Sequence, residues 1–338
     1  MPATPGPIDE VRDLDCHRLA QVLPTWTTPK VIRGLVADWP MVSAARDSAD
    51  AAVAHLKQYD HGTLPVTATT APPEAKGRIF YNADMSGFNF RREQIALKVV
   101  LDTLLKYRST PAPPTIYVAS TTLDSFLPGF RQDNPLALGV DEPLASIWIG
   151  NRSRIAAHHD VPDNLACVAA GRRRVTLFPP DQIGNLYVGP LDFTPAGQAV
   201  SLVDFAAPDL DRFPRFARAM ASAQVAELGP GDAVFIPSLW WHHMEGLDDF
   251  NVLVNYWWRP VPAWMDPPMN ALMLSLLALR GLPPAQRRDW RALFDHYVFA
   301  AGAETTAHIP EPARGVLGTL DAATAANVRS VLRKRLER

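Results

Sequence analysis

The sequence predicts a mainly β protein: an all-β core with α-helices before and after it. Two observations carry that reading. From about Pro114 the chain runs as short apolar segments separated by Pro, Gly and Asp: Thr115–Ala119, Ala145–Gly150, Leu165–Ala170, Arg174–Phe178, Ala199–Asp204, Gln224–Leu228, Ala233–Pro237 and Asn251–Trp258. Many short strands with turn signals between them suit a sandwich or barrel better than a βαβ fold. On either side of this region the apolar spacing becomes helical instead.

Taken in order, Ile8–Gln21 carries apolar residues at roughly helical spacing, and Lys30–Leu35 reads as a short strand stopped at Gly34. Asp38-Trp39-Pro40 breaks the chain before an alanine-rich helix over Ala44–Gln58. Thr67–Arg92 is loop-rich and contains the aromatic stretch Phe80–Phe90; Glu93–Tyr107 returns to helical spacing. Within the β region, Gly229-Pro230-Gly231-Asp232 is a tight reversal feeding the strand AVFIP, and Pro208–Ala223 reads as a helical insert. After Pro260, helices are expected over Met265–Arg280, Pro284–Ala300 and Ala322–Leu336. The expected division is therefore 1–110 (mixed helix and strand packing on the core), 111–260 (the β core) and 261–338 (helical).

At 338 residues, 47% hydrophobic and 20% charged with a net charge of −2, the chain has ordinary core-forming composition. No basic block offers phosphate-neutralising charge, so nucleic acid is not an expected partner. No stretch approaches the roughly 18 apolar residues of a membrane span. The polar, proline-rich N-terminus reads as no signal peptide. Cys16 and Cys167 are too few for a disulfide framework and too far apart for a CxxC site, so a cytoplasmic location is the expectation.

The chemistry-bearing feature is the stretch AAHHDVPDN, Ala156–Asn164. Residues two apart on a strand share a face, which sets His158 and Asp160 together with His159 turned away. A second doublet, His242-His243, follows the strand AVFIP and could supply a third ligand; spacing leaves both histidines open. Two histidines and one carboxylate would leave three adjacent positions free on an iron(II) centre. Strand alternation also sets Arg173 with the apolar, inward Val175 and Leu177, while Arg172 and Arg174 share the solvated face.

The segments Ser146–Gln182, Val203–Phe216, Gly229–Glu245 and Val252–Trp258, with Val31–Pro40 upstream, resemble the JmjC/cupin-like iron(II)- and 2-oxoglutarate-dependent oxygenases, in particular their asparaginyl hydroxylase branch. The resemblance is strong over about 110–260 and implies a double-stranded β-helix, or jelly roll. It places the metal ligands on His158, Asp160 and His242, and the cosubstrate contacts on Tyr117, Asn164, Arg173 and Asn255. Relatives carry a lysine where this chain has Arg173, and often Thr or Ser where it has Ile155. The implied activity is a dioxygenase that hydroxylates a protein side chain or small molecule, using O2 and 2-oxoglutarate and releasing succinate and CO2. The alternatives are a metal-dependent cupin enzyme that does not use 2-oxoglutarate, or a non-catalytic ligand- or protein-binding module. The stripe Met269, Leu272, Met273, Leu276 and Leu277 could serve a homodimer.

Overall fold

Fifteen strands and a set of short helices make up the computed structural model, which describes residues 4–337; the side chains of Cys16 and His17 also lie outside the described set, as do the first three residues of the polar N-terminal stretch. The strands are β1 (Gly6–Pro7), β2 (Glu10–Val11), β3 (Lys30–Ile32), β4 (Val66–Ala71), β5 (Arg78–Ile79), β6 (Arg91–Ile95), β7 (Thr115–Thr122), β8 (Leu144–Gly150), β9 (Ser153–His158), β10 (Asp163–Ala170), β11 (Arg173–Phe178), β12 (Gln224–Leu228), β13 (Ala233–Ile236), β14 (Trp241–Gly246) and β15 (Asn251–Trp258). They form a six-stranded sheet, β1-β12-β11-β14-β9-β5, and a nine-stranded sheet, β2-β3-β13-β10-β15-β8-β7-β4-β6. Four strands at the centre of each, β12-β11-β14-β9 and β13-β10-β15-β8, are the two faces of a jelly roll, with the chain crossing repeatedly from one to the other.

The space between the sheets is filled from both sides. Val31, Ala166, Val168, Val234, Ile236 and Leu253 come from the larger sheet, and Ile155, Val175, Leu177 and Met244 from the smaller. Each alternates along its strand with residues of the outer face, as the period of two requires. The outer face of the larger sheet is covered by the N-terminal helices α1 (Cys16–Val22), α2 (Pro40–Asp47), α3 (Ala49–Tyr59) and α4 (Leu97–Tyr107). In α4, Leu97, Val100, Leu101 and Leu104 recur every three or four residues and are buried, so one stripe of the helix meets the sheet. Taking each such side chain out of water is worth roughly 1.5–3 kcal/mol.

Several expected elements change at their ends for local reasons. The helix expected over Ala44–Gln58 is two helices, because the Ser48 hydroxyl accepts from the Ala51 amide at 3.0 Å and caps a new helix. Ile8–Gln21 is helical only from Cys16; before that it makes one short strand, β2. Glu93 opens no helix but sits in β6, an edge strand whose polar run Arg91–Gln94 carries no apolar period to read. The loop-rich stretch before it contains β4 and β5. Ala199–Asp204 forms no ladder strand, making only an isolated bridge at Ser201, whose amide donates to the Ala157 carbonyl at 2.7 Å. The helical insert is confined to Phe216–Ala221.

Strands on both sides of residue 110 pair within one sheet, β4 with β7 among them. The described residues divide into two compact units, one ending at Arg259 and one beginning at Pro260. The second unit holds helices at Pro268–Ala278, Pro284–Phe294, Ala303–Thr306 and Ala322–Leu336, with a π-helical turn at Asp295–Phe299. Among the described residues no helix is long and apolar enough to cross a membrane.

The turn from β10 to β11 is a point of close approach. Gly171 has φ +69, and a Cβ there would lie 2.4 Å from the Phe250 carbonyl oxygen. Gly62 has a similar φ of +67 but faces open space. Gly62→Ala is expected to cost about 1 kcal/mol from backbone strain alone. Gly171→Ala should cost at least about 2 kcal/mol more, since the neighbouring backbone must also move. Equilibrium urea denaturation of the two variants checks the difference.

Candidate metal centre

His158 and His242 face each other across the β9–β14 ladder. The next pair in register is Met244 with Ile155, so β9 carries one extra residue between Ile155 and His158. This β-bulge resets the alternation, a device common beside functional sites. Ile155 and His158, three apart, therefore both line the cavity between the sheets, where an unbroken strand would have put them on opposite faces.

Asp160 lies just beyond the end of β9, so strand alternation does not orient it. A clasp from the turn before β14 does. The Leu239 amide donates to the Asp160 carbonyl at 2.9 Å, the Ser238 hydroxyl to the Val161 carbonyl at 2.6 Å, and the Ser238 amide to the Asp163 carboxylate at 2.8 Å. Leu239 holds φ +65, an uncommon conformation for a residue with a γ-branched side chain. Asp163, Ser238 and Leu239 were not legible as site residues: their only signal is a pair of turn formers, Pro162-Asp163 and Pro237-Ser238, facing each other across the fold.

One ligand atom from each of His158, Asp160 and His242 falls within 4.8 Å of the others. The imidazole centroids are 4.3 Å apart, and His242 Nε2 is 3.5 Å from Asp160 Oδ2. His158 Nδ1 lies 2.9 Å from the Ala156 carbonyl and His242 Nδ1 3.1 Å from that of Trp240. A carbonyl only accepts, so both Nδ1 atoms carry the proton and both Nε2 atoms keep a lone pair. Burial, reinforced by the neighbouring His242 ring, pushes His158 down to about 4, so it is neutral at physiological pH. Burial alone would raise Asp160; the imidazoles of His242, His158 and His159 beside it outweigh that and hold the carboxyl at about 2. Two imidazoles and a carboxylate, each oriented by backbone, fit a divalent transition metal.

The other two histidines of the doublets point elsewhere. His159 and Trp241 pack edge to face with ring centroids 4.8 Å apart, and buried His243 packs at a tilt against Phe205 at 4.5 Å. Trp241 is buried in the small cluster with Phe178, Phe213 and Phe216, so it is packing.

All seven residues singled out in the sequence line one cavity of about 470 Å³. Besides the three metal candidates these are Tyr117, Asn164, Arg173 and Asn255. Asn255 Nδ2 donates to Asn164 Oδ1 at 3.2 Å, and Trp148 Nε1 donates to Asn255 Oδ1 at 2.7 Å, which adds Trp148 as a residue the sequence did not reveal. Arg173 is 2% exposed. Its Nε has no hydrogen-bond partner, and the Tyr117 hydroxyl is the polar group beside its guanidinium. Burial pushes Tyr117 up to about 12 against the opposing effect of Arg173, so the phenol stays protonated. The flanking arginines are exposed and satisfied, Arg172 by Asp248 at 2.9 Å and Arg174 by Glu227 at 2.6 Å. Among the described residues no carboxylate pairs with Arg173.

The aromatics of Phe80–Phe90 do not line the cavity. Phe88 stacks between Phe90 (5.0 Å) and Phe193 (4.7 Å), and the Tyr81 hydroxyl donates to the Phe193 carbonyl at 2.6 Å. They pin the loop whose following residues, Pro195–Gln198, form part of the cavity wall.

A jelly roll with two histidines and an aspartate converging at the ends of paired strands defines a cupin-type metal-binding protein. The chain belongs to the cupin-like domain family, whose model matches residues 23–263. Among its relatives are the lysine-specific demethylase JMJ31 of Arabidopsis thaliana, 36% identical over 38% of this chain and 24% of that protein. The tRNA wybutosine-synthesizing protein 5 of Danio rerio is 37% identical over 37% of this chain and 32% of its own length. The HSPB1-associated protein 1 of Homo sapiens is 33% identical over 33% and 23% respectively. The matched region thus spans between about a quarter and a third of these relatives.

His158→Ala, Asp160→Ala and His242→Ala are each expected to abolish tight binding of Mn(II) or Fe(II), while His243→Ala leaves it intact. Ser238→Ala and Asp163→Ala should weaken it about 10- to 100-fold with the fold retained. Metal titration by calorimetry, with circular dichroism as the control, checks the series.

Proposed function

We propose that the chain is an iron(II)- and 2-oxoglutarate-dependent oxygenase that hydroxylates its substrate. The observation that carries this reading is Arg173, a buried guanidinium in the same cavity as the metal candidates and, among the described residues, without a counter-charge. An uncompensated buried charge is costly, so such a residue implies an anion supplied from outside. On β11 it lies four positions from Leu177, the ladder partner of His242. That is roughly 13 Å along the strand at about 3.3 Å per residue. A five-carbon dicarboxylate spans this interval, with a metal ion at one end and the long arginine side chain at the other.

With metal and cosubstrate bound, the chemistry supplied is oxidative decarboxylation of 2-oxoglutarate to succinate and CO2, coupled to insertion of oxygen into a substrate C–H bond. The protein's part is to position and exclude. His158, Asp160 and His242 would hold the metal and leave its remaining positions open. Arg173 would grip the far carboxylate with two parallel N–H bonds, which the lysine of relatives cannot do, and the protonated Tyr117 adds a third donor. This arrangement offsets the loss at Ile155, which lines the cavity but cannot donate. The Trp148–Asn255–Asn164 chain fixes both amides, and Ile79, Ile155, Met244 and Leu253 supply apolar walls.

Anaerobic addition of iron(II) and 2-oxoglutarate should produce the visible charge-transfer absorption of a chelated keto acid. Arg173→Ala should raise the 2-oxoglutarate concentration for half-maximal absorption about 100-fold, consistent with losing a charge-assisted pair of hydrogen bonds. Arg173→Lys should recover most of the affinity. If iron binds and no band forms, the protein is a metal-dependent cupin that does not use 2-oxoglutarate.

We also propose that two copies pair through the C-terminal helices. No side chain of Pro268–Ala278, Pro284–Phe294 or Ala322–Leu336 is buried in the single chain, and Leu277 and Phe299 are 78% and 77% exposed. Apolar surface on this scale is unusual for a monomer. Light scattering after size exclusion should read twice the chain mass, and Leu277→Asp with Phe299→Asp should halve it.

A further inference from the structure

Across the outer part of the nine-stranded sheet, three cavity-facing residues stand in one row. Arg92 on β6 pairs with Thr69 on β4, and Thr69 pairs with Tyr117 on β7. All three line the cavity, and Thr67, two before Thr69, extends the polar strip. Thr67 accepts from Gln94, its ladder partner on β6, at 2.7 Å. The wall therefore changes character along the sheet. It is apolar around Leu253 and Ile155, and becomes polar and cationic towards β6.

Among the described residues Arg92 has no ion-pair partner. One terminal nitrogen donates to the Pro195 carbonyl at 2.7 Å, and the guanidinium lies 5.1 Å from the centre of the Phe90 ring. Neither partner is an anion, and Asp160 is the one acid lining the cavity among the described residues. These two contacts orient the side chain and leave the other N–H groups for a ligand.

The charge balance of the loaded site decides what that ligand is. A divalent metal ion, the Asp160 carboxylate, a dianionic cosubstrate and Arg173 together sum to zero. Arg92 is then the one formal charge left on the cavity lining, an exposed side chain on the edge strand β6 with donors free to meet a ligand. We infer that Arg92, with Thr69 and Thr67 beside it, is a specificity-determining subsite for an anionic group of the substrate, a carboxylate or a phosphate. This rests on the oxygenase reading, which assigns Arg173 to the cosubstrate. It narrows the substrate, whether protein side chain or small molecule, to one that carries a negative charge near the carbon to be oxidised.

The test uses the full chain loaded with Zn(II) and saturating 2-oxoglutarate, which cannot turn over. Three probes are titrated: N-acetylglycine for a carboxylate, methyl phosphate for a phosphate, and neutral N-acetylglycinamide. Trp148 and Trp257 line the cavity, so their fluorescence reports entry. At least one anion should bind ten or more times as tightly as the amide, and which one does so separates carboxylate from phosphate. Arg92→Gln, which keeps an N–H donor for the Pro195 carbonyl, should erase that preference. It should leave the affinity for 2-oxoglutarate, measured separately, within about twofold. Thr69→Val should reduce the preference in part.

Equal binding of amide and anions, no binding of any probe, or a preference that survives Arg92→Gln would each overturn the inference while leaving the oxygenase reading in place. Failure of wild-type protein to bind 2-oxoglutarate would remove both.

Discussion

The site depends on one irregular ladder, the pairing of β14 with β9. Its register brings His242 opposite His158 and, through one extra residue in β9, Ile155 opposite Met244. Without the bulge, either the histidine or the wall residue would face away from the cavity. Two further constraints attach to the same end of the ladder. Backbone carbonyls at Ala156 and Trp240 fix the imidazole tautomers, and the Ser238–Leu239 turn clasps the segment that carries Asp160. The metal candidates are thus held mainly by main chain, which is stiffer than side-chain support.

Charge placement completes the design. The jelly-roll interior is apolar over most of its length and admits few ionisable groups. Arg173 is the extreme case, buried with Tyr117 as its polar neighbour. Burying an unpaired guanidinium costs several kcal/mol, a sacrifice of stability that makes sense at a place where an anion binds. The two arginines beside it in sequence show the contrast, each meeting an acid at the surface. Its position therefore reports on ligand chemistry more directly than the fold does.

Much of this was legible in the sequence. Most strands from 115 to 258 follow alternation and turn residues, though β9 and β14 are not among the expected segments and Ala199–Asp204 forms no ladder strand. The resemblance places a cosubstrate contact on Arg173, and strand parity independently separates it from its two neighbouring arginines. What parity could not supply was the bulge, because an extra residue in a ladder leaves no mark on one strand read alone. It exists only relative to its partner. The same holds for Asp160, whose placement comes from a turn distant in sequence, and for Arg92. Arg92 sits in a polar edge strand whose pattern carries no period, and only pairing with β4 reveals that it faces the cavity. The choice of His242 over His243 came from resemblance; the ladder supplies the physical reason, since adjacent residues of β14 face opposite sides and His243 is taken up by Phe205.

The most direct measurement is a crystal structure of the chain grown with Mn(II) and 2-oxoglutarate under anaerobic conditions. The account predicts one metal ion bound by His158 Nε2, His242 Nε2 and the Asp160 carboxylate at about 2.0–2.2 Å. It predicts the keto acid end of 2-oxoglutarate on that metal and the far carboxylate on Arg173, with a pair of parallel hydrogen bonds. A metal held by other residues, or a cosubstrate that leaves the Arg173 guanidinium without an anion, would contradict it.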